Sequence, residues 1–599
     1  MIDRRRLLAS AAAGAGLAAL PPIAFARSTH EDARLDAILS RQFDEDMKRS
    51  PQGATALGLD VGEQAGLRSR LDDRSLAAAM QAAIQAPGRL EELRTIDPAA
   101  LSAEGRASYD VLSFQKEIAV ESAGFAWHTA DSWRRTPYVV SQINGSYVDV
   151  PSFLDTTHPV KTREDADAFI ERLGAFPDAL DGDTERTQAH AKMGMVAPDF
   201  ILDKAIAQLT ALRNQPGADQ AMVRSLARKM AEAGIQGDHV SRAETLLDGP
   251  VKLALERQIV ELQRQRVDAV HDAGIGGRPD GQSYYALNLR AYTTTERPAF
   301  EIHQLGLDQV AEIQAEADAL LKAEGYTQGS VAERMATLRT ESRFVWPNTD
   351  AGRADLLVYV NAEMNRVRAR LPEVFARVPT SEFLVNRVPP AIEAGAPGGY
   401  AQGGSLDGSR PGIYFINLND TADWPRWTLK TLTYHEAAPG HLFEGALALQ
   451  SANLPLYRKT VGFSAYGEGW GLYAERLADE LGLYEGDPFG RIGYLESFLF
   501  RACRLVVDTG LHAYGWSREQ AIRYMTENVG DPNESEIDRY CSAPGQACSY
   551  KMGEIAITGL REELKTGPNF DLKRFHSAVL DGGRMPLTVL ERRVRAAFA

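Results

Sequence analysis

Apolar residues recur every three or four positions along most of the chain, which is the period of an amphipathic α-helix. The same period predicts helices over 303–322, 355–370, 425–449 and 488–514. In a further predicted helix, 251–273, the apolar positions are Leu253, Leu255, Ile259, Leu262, Val267 and Val270. Capping residues mark two more helix starts, at 162–165 and 517–520. The pattern therefore predicts a mainly α fold.

One segment, 382–418, breaks this pattern. β-prone runs at 383–385 and 414–416 enclose a glycine-rich stretch, so we expect two strands joined by a long irregular connection. This small sheet comes just before the predicted helix 425–449. Its edge could align an extended peptide through backbone hydrogen bonds, or it could be a plain hairpin that covers the core.

The chain has 599 residues, more than one ordinary hydrophobic core can organise, so at least two lobes are expected. A composition shift at the glycine-rich 274–277 favours a boundary there. The predicted organisation is an N-terminal signal segment 1–26, a helical lobe 27–273 and a second lobe 274–599 that holds the small sheet and the candidate site.

Residues 1–26 have the features of a twin-arginine export signal. Arg4-Arg5-Arg6 precedes a weakly apolar stretch, and 24–26 reads Ala-Phe-Ala, a cleavage signature. An uncleaved anchor is the alternative, but the stretch is short and interrupted by Gly and Pro. We therefore expect a mature protein in the periplasm or outside the cell, without a stable membrane anchor.

That compartment permits disulfides, but the three cysteines are too few for a disulfide scaffold. Cys541 and Cys548 could pair across a turn at 544–545. Free, buried thiols at these positions and at Cys503 are the favoured alternative.

The net charge argues against two classes of partner. The full chain carries −15, and removal of residues 1–26, which hold three Arg and one Asp, leaves −17. The negative charge is spread over many segments. Because nucleic acid and anionic membranes are also negatively charged, they are poor partners for so acidic a chain. Nothing in the pattern indicates an oligomeric state.

The segment 435–441, His-Glu-Ala-Ala-Pro-Gly-His, is the strongest candidate for chemistry. In many zinc hydrolases two imidazoles hold the metal and a neighbouring carboxylate acts as general base. His435 and His441 are therefore candidate ligands, and Glu436 is the candidate base. The second His usually comes at i+4, but here it comes at i+6, about 240° further round an unbroken helix. Pro439 and Gly440 predict a bend that returns His441 toward His435.

Two glutamates on the next predicted helix extend the candidate site. Glu468 and Glu475 are seven residues apart and share one helix face. Glu468, surrounded by glycines and aromatics, is the candidate third ligand. Glu475 could orient a ligating His through a hydrogen bond, or it could be an ordinary solvated helix residue.

The helix 488–514 carries a polar stripe formed by Arg501, Arg504, Asp508 and His512. Asp508 can bond to His512 one turn later and fix its tautomer. In a functional interpretation, His512 stabilises an oxyanion or an Arg binds a substrate carboxylate. In a structural interpretation, the stripe is a buried polar network that joins helices.

The last candidate segment is 539–551. Tyr540 and Tyr550 could each donate a hydrogen bond to a tetrahedral oxyanion. Arg539 or Lys551 could bind a carboxyl terminus. A lone Tyr is more often a packing residue.

Together, four motifs resemble a large bacterial family that is catalogued as a domain of unknown function. They are H-E-x-x-P-G-H at 435–441, E-G-W-x-x-Y-x-E at 468–475, R-x-x-R-L-V-V-D-T-G-L-H at 501–512 and R-Y-x-x-x-P-G-Q-A-x-x-Y-K at 539–551. The segment 292–306 is also similar. Members of this family are often exported and are commonly regarded as zinc peptidases. The family is more distantly similar to the helical metallopeptidases that include angiotensin-converting enzyme and the oligopeptidases.

This resemblance implies a mainly α, two-lobed, metallopeptidase-like fold with one Zn²⁺ ion. It implies His435 and Glu468 as ligands and Glu436 as base, with His441 as the displaced second His and His512 in reserve. The implied activity is hydrolysis of peptide bonds, with short peptides as substrates. Two alternatives stay open: an ester or non-peptide amide hydrolase, and a non-catalytic peptide-binding protein with a degenerate metal site.

Overall fold

The structure is a computed structural model that describes residues 29–131, 134–388, 390, 393, 398–406, 408 and 410–599. The predicted export signal lies outside this part of the chain. Within it, no helix combines the length and the apolar character needed to cross a membrane.

Helices dominate the described chain, so the mainly α prediction is confirmed. The helices before residue 300 are α1 (His30–Arg49), α2 (Pro51–Leu57), α3 (Leu76–Leu93), α4 (Ala103–Ser122), α5 (Ser146–Thr156), α6 (Arg163–Gly174), α7 (Phe176–Lys192), α8 (Asp199–Asn214), α9 (Ala221–Glu232), α10 (His239–Leu246), α11 (Lys252–Arg266), α12 (Gly281–Thr293) and α13 (Ala299–Ala323). The later ones are α14 (Val331–Thr340), α15 (Asp350–Val374), α16 (Arg426–Glu436), α17 (His441–Leu449), α18 (Leu456–Lys459), α19 (Ser464–Glu480), α20 (Pro488–Ala513), α21 (Arg518–Val529), α22 (Glu534–Ser542), α23 (Ser549–Lys565), α24 (Leu572–Leu580) and α25 (Leu587–Phe598).

The predicted helix 251–273 is wrong at its C-terminal end. Helix α11 stops at Arg266, and Val267 beyond it is 81% exposed. Leu255 is buried, whereas Leu253 is 63% exposed. Residues two positions apart lie about 200° apart on a helix, so these two leucines cannot share one buried face. The apolar periodicity therefore predicted a longer helix, with more buried side chains, than the structure contains.

The described residues form five strands, which are β1 (Thr129–Asp131), β2 (Arg134–Thr136), β3 (Phe383–Arg387), β4 (Gly399–Gln402) and β5 (Gly412–Ile416). The first two form a short antiparallel pair. The other three form one sheet in the order β3-β5-β4, with β3 parallel and β4 antiparallel to β5. The predicted irregular connection therefore contains a third strand, β4, which lies at an edge of the sheet and packs against α16.

Four helices frame the candidate site: α19 and α20 contact each other, and α16 and α23 each contact both of them. Their buried side chains, among them Trp470, Tyr473 and Leu505, belong to one continuous apolar core. The three cysteines are buried and free. The lobe boundary at residue 274 stays a prediction.

Candidate metal centre and substrate cavity

The helix that carries the His-Glu pair ends where the sequence predicts a bend. Helix α16 stops at Glu436, residues 437–440 leave helical geometry, and α17 starts at His441. A Cβ at Gly440 would overlap the carbonyl oxygen of His435, so this close approach requires glycine. The Trp470 indole donates to the carbonyl of Pro439 at 2.8 Å and fixes the bend to α19.

The bend brings His435 and His441 together with Glu468. The two imidazole centroids are 4.7 Å apart, with the rings perpendicular. Glu468 Oε2 lies 3.5 Å from His435 Nε2 and 3.2 Å from His441 Nε2. One ligand atom from each residue lies within 4.8 Å of the other two. The three predicted ligands are therefore close enough to share one cation.

Glu475 holds the His435 ring from its other side. His435 Nδ1 lies 2.7 Å from Glu475 Oε1. Ser497 donates to Glu475 Oε2 at 2.7 Å, and Arg501 Nη1 donates to Ser497 Oγ at 2.9 Å. Because the Nδ1 proton is committed to Glu475, the lone pair of neutral His435 lies on Nε2, which faces Glu468.

The E-G-W-G segment makes room for this imidazole. A Cβ at Gly471 would lie 2.6 Å from His435 Cε1 and 2.8 Å from its Nε2. Both distances are shorter than any normal van der Waals contact. Glycine at this position therefore lets α19 approach the His435 ring closely enough for Glu475, one turn later, to reach Nδ1.

The charges of these groups depend on one another. Burial lowers the pKa of His435, but its hydrogen bonds to Glu468 and Glu475 outweigh burial and raise the pKa to about 9. Burial raises the pKa of Glu468, but the imidazoles of His441 and His435 outweigh it and hold that pKa well below its usual range. The two carboxylates thus favour positive charge at this point, which a divalent cation also supplies.

Glu436 and the three candidate ligands line a cavity of about 3360 Å³. Glu436 directly follows His435 and is 8% exposed. The wall also includes β4 and residues of α1, α4, α5 and α8 from the N-terminal half. The candidate base and ligands therefore face a space built by both halves of the chain.

The structure separates the two candidate tyrosines. Tyr550 lines the cavity, and its ring is stacked with that of His435 at a centroid distance of 6.5 Å. Tyr540 is fully buried, and its hydroxyl donates to Glu536 at 3.1 Å. Tyr540 is therefore not placed as an oxyanion donor, because its hydroxyl is engaged inside the protein.

The expected Asp508–His512 pair is wrong, because both side chains have other partners. Asp508 accepts from the Tyr285 hydroxyl at 2.6 Å and from the Gly545 amide at 3.1 Å. His512 Nδ1 accepts from the Ile275 amide at 3.1 Å, and Nε2 lies 3.1 Å from the Tyr540 carbonyl. Both residues are fully buried. They form the buried polar network that was the structural alternative, and His512 is placed neither as a ligand nor as an oxyanion donor.

The basic candidate residues fall into two groups, three that line the cavity and one that is buried. Arg501, Arg504 and Arg539 line the cavity. Lys551 is buried, pairs with Glu554 at 2.8 Å and lies over the Phe498 ring. Lys551 is therefore not placed to bind a substrate carboxylate, because its charge is neutralised in the core.

Three groups of the site were missed from the sequence. Ser497 precedes Arg501 by one turn of α20, a spacing that indicates its contact. Glu536 precedes Arg539 by three residues and pairs with it at 2.9 Å. Arg584, which lies at the cavity wall, pairs with Glu444. The two residues are 140 positions apart in the chain, so no local sequence pattern indicates the pair.

Comparisons with known proteins agree with this architecture. The crystal structure of a proposed lipoprotein from Colwellia psychrerythraea is 34% identical, with a TM-score of 0.91 over 94% of this chain and 99% of that chain. A proposed lipoprotein of unknown function from Shewanella oneidensis is 18% identical and has a TM-score of 0.68 over the same shares, which shows a common fold alone. No curated protein sequence matches significantly.

A family described as "Bacterial protein of unknown function (DUF885)" matches residues 51–594, which is most of the chain. The match includes every residue of the candidate metal centre. The chain belongs to the DUF885 family.

Proposed function

We propose that this protein is a zinc-dependent hydrolase of peptide bonds that acts on oligopeptides. The observation that carries the proposal is the convergence of His435, His441 and Glu468, with Glu436 beside them, on one large cavity.

The donor set fits zinc in type and spacing. Zinc hydrolases commonly use two His and one Glu, with metal–ligand bonds of about 2.0–2.2 Å. In a tetrahedron with such bonds, ligand atoms lie about 3.3–3.6 Å apart. The separations of Glu468 Oε2 from the two Nε2 atoms, 3.5 and 3.2 Å, are close to that range. A zinc ion at this site would supply Lewis acidity, polarising a carbonyl oxygen and making a water more acidic.

Glu436 is the proposed general base. Glu436 directly follows His435 and lines the same cavity as the three candidate ligands, which supports a role for its carboxylate as the base. It accepts the proton of the attacking water and then delivers that proton to the leaving amine. Tyr550 is the proposed hydrogen-bond donor to the developing oxyanion. Burial is the main factor that raises the pKa of Tyr550, so its hydroxyl keeps its proton at neutral pH.

Two features favour peptides over small esters. The cavity, at about 3360 Å³, exceeds the roughly 300–1,000 Å³ of ordinary small-molecule sites. Strand β4 lines this cavity and lies at an edge of its sheet, so its outer backbone groups can pair with an extended peptide. An acyl ester has no comparable row of donors and acceptors.

We also propose that the protein is exported. The twin-arginine pattern at 4–8 supports this, and so does the description of the Colwellia psychrerythraea relative as a proposed lipoprotein. A reporter fused after residue 30 tests it. Reporter activity in the periplasm that Arg4-Arg5→Lys-Lys abolishes is expected, and cytoplasmic retention of the unaltered fusion would contradict it.

The function is tested by zinc content, a peptide and ester panel, and Glu436→Gln. We expect about one zinc per chain in the wild-type protein and in the variant. Turnover of peptides should fall by about 10²–10⁴-fold in the variant, the usual contribution of a general base. Glu527→Gln, the same change on the exposed face of α21, is the control. Unchanged turnover in Glu436→Gln, or rapid cleavage of esters with none of peptides, would refute the proposal.

A further inference from the structure

The cavity wall beyond Tyr550 carries an arginine cluster, formed by Arg501, Arg504 and Arg539. Arg501 and Arg504 both lie against the Phe500 ring, with Cζ 5.3 and 4.3 Å from its centroid. Arg504 and Arg539 both pair with Glu536, at 2.7 and 2.9 Å. The three guanidinium groups thus belong to one patch of the wall.

This cluster has more hydrogen-bond donors than its one carboxylate can accept. Glu536 Oε2 lies within hydrogen-bond distance of Arg504 Nη2, Arg539 Nη2 and the Tyr540 hydroxyl. The acid cannot offer three good acceptor directions from one oxygen. Its two arginines also leave a net positive charge, and Arg501 adds another.

Arg504 is the least satisfied member. It is 5% exposed, and its Nε and Nη1 have no hydrogen-bond partner among the described residues. Arg501 Nε is also buried without a described partner. An unpaired buried donor destabilises the folded protein, and a charged one does so more strongly. Arg501, Arg504 and Arg539 all line the cavity, so this part of the wall is rich in guanidinium charge and short of anions.

Nearby acids of the wall do not supply that anion, because they have their own partners. Glu496 pairs with Arg339, and Glu534 pairs with Arg518 at 3.0 Å. Glu475 is engaged by His435 and Ser497. These acids are therefore committed to other partners, and the cluster keeps an excess of positive charge on the cavity wall.

Resting on the proposed function, we propose that the arginine cluster binds the free C-terminal carboxylate of the peptide substrate. The protein would then be a carboxy-terminal exopeptidase that releases short fragments. Carboxylates are the anions that every unmodified peptide carries at its end, and guanidinium groups bind them through charge-assisted hydrogen bonds.

The distance from the candidate metal centre limits the fragment length. Arg504 Cζ lies 4.4 Å from the Tyr550 ring centroid, which lies 6.5 Å from the His435 ring. The guanidinium is therefore no farther from His435 than these two steps combined. An extended chain advances about 3.3–3.6 Å per residue, so a span of this size corresponds to about three residues between the scissile bond and the bound carboxylate.

The test compares peptides that differ only in a C-terminal acid or amide, using the full mature chain loaded with zinc. Cleavage is followed by mass spectrometry, and binding is measured in Glu436→Gln so that the peptide is not consumed. We expect the acid to be bound and cleaved about 10- to 100-fold better, the range of one or two lost charge-assisted bonds, and fragments of one to three residues to be released.

In Arg504→Gln this preference should shrink to less than about threefold, mostly through a higher KM for the acid. Arg501→Gln should reduce the preference for the acid as well. Because Arg501 is partly exposed, this variant keeps the test valid if the buried change Arg504→Gln prevents folding. Arg523→Gln on the exposed face of α21 is the matched control and should retain the preference.

Equal cleavage and binding of acid and amide by the wild-type protein overturns the cluster's assignment while leaving the hydrolase intact. If no peptide is cleaved but the acid still binds better than the amide, and this preference depends on Arg504, the hydrolase proposal is overturned and the carboxylate site is supported. The same acid preference in wild-type and both arginine variants would also overturn the assignment.

Discussion

Replacing Glu475 tests the metal centre without touching a ligand or the base. Its carboxylate is fully buried, lies 2.7 Å from His435 Nδ1 and accepts from Ser497 at the same distance. Glu475→Gln preserves the shape of the side chain and an acceptor for Nδ1–H. The Ser497 hydroxyl can rotate to accept from the new amide, because it has two lone pairs. The variant therefore loses the negative charge with little change in packing.

In the proposed zinc site, that charge would make His435 a better ligand and fix its ring. Loss of such a partner of a ligating imidazole typically lowers metal affinity by 10- to 100-fold, about 1.4–2.7 kcal/mol. We expect Glu475→Gln to raise the zinc Kd by about 10-fold, because the hydrogen bond persists in neutral form. Glu475→Ala should raise it by about 100-fold, because the Nδ1–H then lacks an acceptor.

The assay is competition for zinc against a chromogenic chelator at fixed pH, with thermal unfolding as a check on folding. Peptidase activity should recover in both variants when zinc is in excess, since neither change removes a reacting group. Glu527→Gln is the control for the loss of one carboxylate. A zinc Kd within twofold of wild type in folded Glu475→Ala would refute the role assigned to this carboxylate.

Two further changes test the close approach and the oxyanion donor. Gly471→Ala should lower zinc affinity by at least about 10-fold, because the new Cβ would lie 2.6 Å from His435 Cε1 and displace the ring. Dialysis followed by metal analysis measures this affinity, and full zinc retention would contradict the prediction. Tyr550→Phe keeps the ring and should lower kcat by about 10²–10³-fold with KM and zinc content unchanged, which steady-state kinetics checks; an unchanged kcat would assign the oxyanion to another donor.

The helical architecture could be read from the sequence because apolar spacing reports helix faces directly. The predicted helices 303–322 and 355–370 lie within α13 and α15, and 488–514 matches α20 with a one-residue difference at its end. Strand β4 was missed because glycines dominate its surroundings and its four residues have no alternating apolar pattern. Its position depends on pairing with β5, which is a contact between distant segments.

Polar residues were harder to interpret, because a helical stripe shows which side chains share a face but not what that face meets. The stripe on α20 illustrates this limit. Its Arg501 and Arg504 line the cavity. One turn further on, Asp508 bonds in the core to α12 and to the 540–545 segment. Another turn on, His512 bonds to Ile275 and to the same 540–545 segment. The spacing alone made the four residues look equivalent. Their separate roles follow from which neighbours pack at each turn, and only the tertiary fold supplies those neighbours.

The displaced second histidine shows how the local and the tertiary levels combine. On a continuous helix, an i+6 spacing would direct His441 about 240° away from His435. The chain avoids this by ending α16 at Glu436 and restarting as α17, so that His441 opens a new helix axis. The bend needs Gly440 at its tightest contact and the Trp470 indole to hold the carbonyl of Pro439. Since Trp470 lies on the same helix as Glu468, the contact that fixes the bend also positions the third candidate ligand. The unusual spacing of the two histidines in 435–441 is therefore explained only together with the E-G-W segment.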